Sequence, residues 1–205
     1  HNYATKQRGG ALFFEKCHYL VNINVSFCYN HAKQGGGAIC IQQQIRGIMN
    51  YFCLFISNSA SISGGVIKTE GGHITNMYCN FLRNHALNGK GGSLFIANSK
   101  LLNFKCTFTQ NLAWYGGAIR LRLYDRRDRN LTNYACMFKQ NQAIKENFAG
   151  GGAIYLTSQK TYINLYNFHS KFCDNSIPSK LSHRYRRCIN GGVLYIELVN
   201  IFIND

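Results

Sequence analysis

Apolar and polar residues alternate in short runs along the whole chain. In the segment 116–123, Ile119, Leu121 and Leu123 share one face and Arg120 and Arg122 the other. Leu194, Ile196 and Leu198 repeat the arrangement, and Leu102, Phe104, Cys106 and Phe108 form a second alternation of the same kind. A period of two places successive side chains on opposite faces of an extended backbone, so these runs read as strands. No window of about 11–18 residues carries a helical period, which makes the chain all-β.

The runs are punctuated by two recurring boxes. Glycine pairs open at Gly9, Gly36, Gly64, Gly91, Gly116, Gly151 and Gly191, with steps of 27, 28, 27, 25, 35 and 40 residues. Between them falls Phe-x-x-Asn: Phe27/Asn30, Phe55/Asn58, Phe81/Asn84, Phe108/Asn111, Phe138/Asn141 and Phe172/Asn175. Two independent markers sharing one period define a solenoid. Two or three strands per repeat and about 27 residues make one coil of a parallel β-helix, whose coils stack about 4.8 Å apart. The expected fold is therefore a single-stranded parallel β-helix of about seven coils over residues 1–205, with two longer coils in the C-terminal half. It is taken as right-handed from the general preference of parallel crossovers. A β-propeller blade is longer, and a leucine-rich repeat needs a frame that is missing here.

Stacked coils turn equivalent letters into columns. The six phenylalanines should stack in the core. The six asparagines, Asn30, Asn58, Asn84, Asn111, Asn141 and Asn175, should stack at a turn, where Asn tolerates a left-handed backbone. The glycine pair should allow a tight bend. Cys53, Cys79, Cys106 and Cys136 share the inward parity of the phenylalanine two residues later, so they form a further core column. Its two readings are a column of free thiols packing as small hydrophobes and disulfides between adjacent coils. Cys17, Cys28, Cys40, Cys173 and Cys188 stand outside that frame.

These boxes resemble the polymorphic membrane protein repeats of chlamydial autotransporters. Gly36-Gly37-Ala38-Ile39, Gly116-Gly117-Ala118-Ile119 and Gly151-Gly152-Ala153-Ile154 match the first family motif letter for letter, and all six Phe-x-x-Asn boxes match the second. The resemblance implies a right-handed β-helix passenger for surface display and adhesion, with no catalytic residue to carry over. A β-barrel translocator is not recognisable in the sequence, so the chain is expected to be less than a whole autotransporter.

Charge adds the question of partners. Lys and Arg number 23 against 8 Asp and Glu, a net charge of +15. Such a surface attracts acidic glycans, acidic protein surfaces or anionic lipid, and nucleic acid stays open although no nucleic-acid motif is present. The two long coils concentrate arginine: Arg120, Arg122, Arg126, Arg127 and Arg129 in one, Arg184, Arg186 and Arg187 in the other. These are the candidate anion or partner contacts, with a solvated loop as the plain alternative. Asn24 and Asn130 begin N-glycosylation sequons, and Asn130 is expected in a loop.

Enzyme chemistry finds little footing. Parallel β-helices that cleave polysaccharides need clustered carboxylates, and Asp125 and Asp128 are the one close pair, amid arginines. No Cys-x-x-Cys or Cys/His array suggests a metal, so no cofactor is expected. His31 and His85, each following a box asparagine, read as turn residues. No apolar run is long enough for a transmembrane helix. Neither end shows a capping helix, so other protein chains, including head-to-tail copies, or further coils of a longer solenoid are expected there. The resulting expectation is a non-enzymatic structural or adhesive solenoid, extracellular or at the cell surface. A carbohydrate-binding or carbohydrate-active β-helix and a basic scaffold subunit of an intracellular assembly are the alternatives.

Overall fold

The computed structural model describes residues 1–5, 8–43, 45–125, 129–144, 150–159, 162–177, 193–197 and 199–204. Among these there is no helix. The strands form four parallel sheets, two of six strands and two of seven. Each coil passes once through all four.

The phenylalanine sheet comprises Ser26–Cys28, Leu54–Ile56, Asn80–Leu82, Thr107–Thr109, Met137–Lys139 and Lys171–Cys173. The alanine sheet follows, with Tyr3–Ala4, His31–Ala32, Ser59–Ala60, His85–Lys90, Leu112–Tyr115 and Gln142–Ala143. After the glycine pair comes the isoleucine sheet: Leu12–Phe14, Ile39–Ile41, Ile67–Glu70, Leu94–Ala97, Ile119–Leu123, Ile154–Ser158 and Leu194–Glu197. The asparagine sheet completes the coil with Tyr19–Ile23, Gly47–Tyr51, His73–Met77, Lys100–Phe104, Arg129–Tyr134, Ile163–Phe168 and Val199–Asn204. A coil thus holds four strands, where the sequence pattern indicated two or three. The extra one is the alanine strand, which in most coils is two residues long and too short to display an alternation.

Pairing is in register from coil to coil. Phe27 lies opposite Phe55, Phe55 opposite Phe81, and Phe81 opposite Phe108. The rings stack nearly parallel, with centroids 5.3, 4.8, 4.5, 4.8 and 4.7 Å apart from Phe27 to Phe172. The four central rings, Phe55, Phe81, Phe108 and Phe138, are fully buried. Burying each contributes about 1.5–3 kcal/mol.

The box asparagines are also interior. Asn84 Oδ1 accepts the backbone N–H of Asn58 at 2.9 Å and its Nδ2 at 3.1 Å. Asn84 Nδ2 in turn donates to the Phe55 carbonyl at 2.9 Å and to Asn111 Oδ1 at 3.1 Å. Asn141 repeats the pattern toward the C-terminal end. Its Oδ1 accepts the Asn111 amide at 2.8 Å, and its Nδ2 donates to the Phe108 carbonyl and to Asn175 Oδ1, both at 2.8 Å. Asn2, whose Nδ2 donates to Asn30 Oδ1 at 3.0 Å, and Asn175 are the described ends of this ladder. A second ladder lies inside the asparagine sheet: Asn22, Asn50, Asn76, Asn103, Asn133 and Asn167, each amide donating to the next at 2.8 Å.

The sequence expectation that the box asparagines take the left-handed turn conformation is corrected. None of Asn30, Asn58, Asn84, Asn111, Asn141 and Asn175 has a positive φ. In each case the amide is directed into the coil, and the backbone reversal falls to the residue before it. Tyr29, Ser57, Arg83, Gln110, Gln140 and Asp174 have φ between 51° and 57°, so Gln140 and not Asn141 turns its coil. Asn24, Phe52, Tyr78, Lys105, Ala135 and His169 do the same at the preceding corner, with φ of 49–55°. This conformation costs an L-residue about 1–2 kcal/mol. The corner recovers a backbone hydrogen bond to the following coil, such as Arg83 N–H to the Thr109 carbonyl at 3.0 Å and Tyr78 N–H to Phe104 at 2.9 Å.

The two glycines of a pair serve different ends. Gly64 has φ of 61° and turns the chain. Gly65 does not bend it so, but a Cβ there would fall on the Gly92 carbonyl oxygen of the next coil. Only glycine lets the backbones stack at that corner.

Two substitutions separate interior from corner. Asn84→Ala removes the acceptor of the Asn58 backbone N–H and of one Nδ2 N–H, together with the side-chain donor to the Phe55 carbonyl, so urea unfolding should show a loss on the order of 3 kcal/mol. Arg83→Gly, one residue away, relieves the left-handed strain at the cost of glycine entropy and should lie within about 1 kcal/mol of the parent.

Candidate contact surfaces

The coils place every outward side chain in a column, so contacts are best followed column by column. On the outer face of the isoleucine sheet the register aligns Phe13, Cys40, Lys68, Phe95, Arg120 and Tyr155. Arg120 is only 4% exposed. Its Nη1 donates to the Leu121 carbonyl at 2.7 Å and its Nη2 to Thr157 Oγ1 at 2.6 Å, while the guanidinium lies 4.2 Å from the Tyr155 ring centre. Strand parity sends it outward, but its neighbours cover it. Arg120 therefore leaves the set of surface anion contacts.

Arg122 is half-buried and stacks on Tyr124 at 4.1 Å. Arg129 pairs with Asp125 at 3.0 Å. Arg126, Arg127, Arg184, Arg186 and Arg187 lie outside the described residues, as do Asp128 and Cys188. Lys68 is a basic group with altered character. Burial, with Arg8 nearby, draws its ammonium below the usual lysine range despite opposing pulls from Cys40 and Glu70.

The corner between the isoleucine and asparagine sheets holds a polar cavity of about 340 Å³, lined by Ile45, Glu70, Gly71, Gly72, Asn98, Asp125 and Arg129. Asn98 ties three coils together there. Its Nδ2 donates to Glu70 at 3.2 Å, and its Oδ1 accepts the Tyr124 N–H at 2.8 Å and the Asp125 N–H at 3.3 Å. Sequence reasoning singled out Asp125 but missed Glu70 and Asn98, because only stacking brings them together. Among the described residues, no group of three or more His, Cys, Asp or Glu is arranged to hold a metal.

The four column cysteines are buried free thiols. Each has two carbonyls within reach of its single S–H; for Cys106 these are Asn76 at 3.3 Å and Phe104 at 3.4 Å. Hydrogen bonding with Cys136 and Cys79, together with burial, pushes the Cys106 pKa well above the ordinary thiol range. At the ends of the column the position passes to Val25 and Ser170, and Ser170 Oγ accepts the Cys136 N–H at 3.1 Å. Cys17, Cys28, Cys40 and Cys173 are likewise free thiols.

Asn24 is exposed at a corner. Asn130, expected in a loop, instead lies in the strand Arg129–Tyr134 and accepts the Asn164 amide at 3.1 Å. Of the two sequons, the open one is therefore at Asn24. His31 and His85 also belong to strands rather than turns, in one row with Ser59. His31 Nδ1 sits 2.8 Å from Ser59 Oγ.

A further column escaped the sequence reading. Phe52 and Tyr78 stack at 4.9 Å on the outside of the corner after the asparagine sheet, and Phe104 and Tyr134 stack beside them at 5.3 Å. Lys105 Nζ lies 5.6 Å from the Tyr78 ring centre and 5.4 Å from that of Phe104. The signal was present as aromatic residues one or two places before the column cysteines.

Fold and surfaces together define a repeat-built β-solenoid whose interior is uniform and whose outside varies. Residues 24–42 match the Chlamydia polymorphic membrane protein repeat. This segment runs from the Phe27/Asn30 box through the Gly36-Gly37-Ala38-Ile39 box, and its place in a parallel stack of coils fits a repeat β-helix similar to those of polymorphic membrane proteins. Among curated proteins and solved structures nothing matches the chain.

Burial lowers the pKa of His31 and His85 below the ordinary histidine value of 6.5. The folded state favours the neutral ring, so this stability is fully present above pH 6.5 and is lost as pH falls from there through the folded pKa. The thermal midpoint should drop on acidification from about pH 7 to about pH 5, and the His31→Gln, His85→Gln double variant should show a flatter profile.

Proposed function

We propose that the chain is a non-enzymatic structural or adhesive solenoid, displayed at a cell surface or built into an extracellular assembly. The observation that carries this reading is the repeat match at residues 24–42 within an unbroken parallel stack. Such a stack is a stiff rod: its interior satisfies itself coil by coil, and its outer columns are free to vary for contact. Repeats of this family are associated with the surface, which favours display over an intracellular scaffold. The net charge of +15 favours polyanionic partners such as acidic glycans or acidic protein surfaces. Basic loops and coil ends are the proposed contacts with other chains, head-to-tail copies included.

A second reading has one specific observation behind it. The corner cavity joins Glu70, Asn98, Asp125 and Arg129, a mixture of acceptors and donors that suits sugar hydroxyls. It supports a carbohydrate-binding solenoid.

One experiment separates these readings. Beads coated with the chain should retain cells, heat unfolding of the coat should abolish retention, and a soluble acidic glycan should compete. The same preparation incubated with a panel of polysaccharides should yield no cleavage products. Cleavage that disappears in Asp125→Asn would overturn the non-enzymatic reading, and failure to retain cells would overturn the adhesive one.

A further inference from the structure

The outer face of the asparagine sheet is unlike the rest of the surface. Its seven strands contain no Asp or Glu, and neither do the corner residues Asn24, Phe52, Tyr78, Lys105, Ala135 and His169. Two of its three outward columns are mainly apolar and aromatic, and the third runs through Tyr19, Gly47, His73 and Lys100. Val21, Met49, Thr75, Leu102, Thr132 and Tyr166 form one, and Ile23, Tyr51, Met77, Phe104, Tyr134 and Phe168 the next. Val21, Ile23, Phe52, Tyr78, Leu102 and Tyr134 are exposed at 52, 64, 57, 40, 38 and 39%. Arg46, Lys100 and Lys105 supply positive charge along its margins.

We propose that this face lies against a membrane surface that contains anionic lipid. Three observations select that occupant. First, the charge is complementary: the strands of the face carry no carboxylate, Arg46, Lys100 and Lys105 stand at its margins with Glu70 and the ion-paired Asp125 at one corner, and the chain has a net charge of +15. Basic groups beside exposed Tyr, Phe, Leu and Ile are what an interfacial, negatively charged surface binds. Second, the size is wrong for a self-association interface. The seven strands span about 29 Å along the axis and about 16 Å across, a face of about 460 Å², well below the roughly 800 Å² per partner of a stable protein interface. Two such basic copies would also repel one another. Third, the ring geometry disfavours sugar stacking. Phe52 and Tyr78 are 8° from parallel and Phe104 and Tyr134 11°. Within each pair one face of every ring is taken by its neighbour, and Tyr78 meets Phe104 edge-on at 77°, so the four rings make two crossed pairs and no continuous flat platform for a sugar.

The backbone adds weight. Phe52 and Tyr78 sit at left-handed corners with φ of 54° and 55°, where Asn or Gly would cost less. Aromatic residues there extend the apolar face at a cost to the fold.

This inference does not depend on the adhesive reading, and its test is independent of cell binding. The chain is sedimented with vesicles of phosphatidylcholine alone and of phosphatidylcholine with phosphatidylserine. The phosphatidylserine vesicles should bind it at least about tenfold more strongly, with the difference shrinking at high salt. The double variant Phe52→Asn, Tyr78→Asn replaces outward residues by one that accepts the left-handed backbone, so its thermal midpoint should be kept while vesicle binding falls by about tenfold. Equal binding to both vesicle types would overturn the proposal. So would undiminished binding by the double variant, which would mean adsorption through charge alone. A concentration-dependent dimer in sedimentation velocity that the double variant abolishes would overturn it in favour of a second copy.

Discussion

A polar side chain inside a coil has only the coils above and below it to bond to. This constraint organises the molecule. An amide that is buried and unpaired costs on the order of 1–3 kcal/mol for each missing bond. An asparagine in one coil is therefore tolerated only if the next coil carries a matching group at the same register. The two ladders, Asn2 to Asn175 and Asn22 to Asn167, meet that demand by repetition: from Asn30 and Asn50 onward every Oδ1 accepts an N–H from the adjacent coil. The ladders also fix register. A slip by one residue would leave a whole column of amides unpaired and turn the phenylalanines outward.

Interior uniformity releases the exterior. Because hydrogen bonds and apolar burial are complete within the ladders, the corner residues need only accept a left-handed backbone and point away. They are chemically diverse: Tyr29, Ser57, Arg83, Gln110, Gln140 and Asp174 occupy one corner in successive coils. The variable exterior is where function can be placed without disturbing the fold. The Asn98 clip shows the same division, since it joins the Glu70 corner to the Tyr124–Asp125 loop wholly outside the core.

How much of this the sequence disclosed depends on whether a feature is periodic. Phe55 and Asn58 declare themselves because their partners recur in fixed positions, and the parallel solenoid follows from that period alone. The second ladder had an equally regular signal, Asn50, Asn76, Asn103 and Asn133 each three residues before a column cysteine. It was hidden by the many other asparagines. Features made by contacts between unlike residues were not legible. Parity correctly sends Arg120 outward, yet Thr157 and Tyr155 of the following coil enclose it. The Glu70–Asn98–Asp125 corner unites three coils through residues that share no motif. The left-handed corners were misassigned by one position because Asn favours that conformation intrinsically. In this fold its amide is needed inside, as Asn141 between Asn111 and Asn175 makes plain, and Gln140 takes the turn instead.

Net charge can be assigned to function rather than to folding by the same reasoning. Neither ladder contains a Lys, Arg, Asp or Glu, and the phenylalanine column is apolar. No described interior contact depends on the excess of Lys and Arg, and mutual repulsion among those groups works against compactness. Arg120, the buried arginine, is compensated by carbonyl oxygens, a hydroxyl and the Tyr155 ring. A surplus of positive charge that the fold does not use, on a surface with a carboxylate-free sheet face, is available for contacts outside the molecule. The asymmetry between a repetitive interior without Lys or Arg in its ladders and a basic, irregular exterior is thus the physical basis on which the proposed contact with negatively charged surfaces rests.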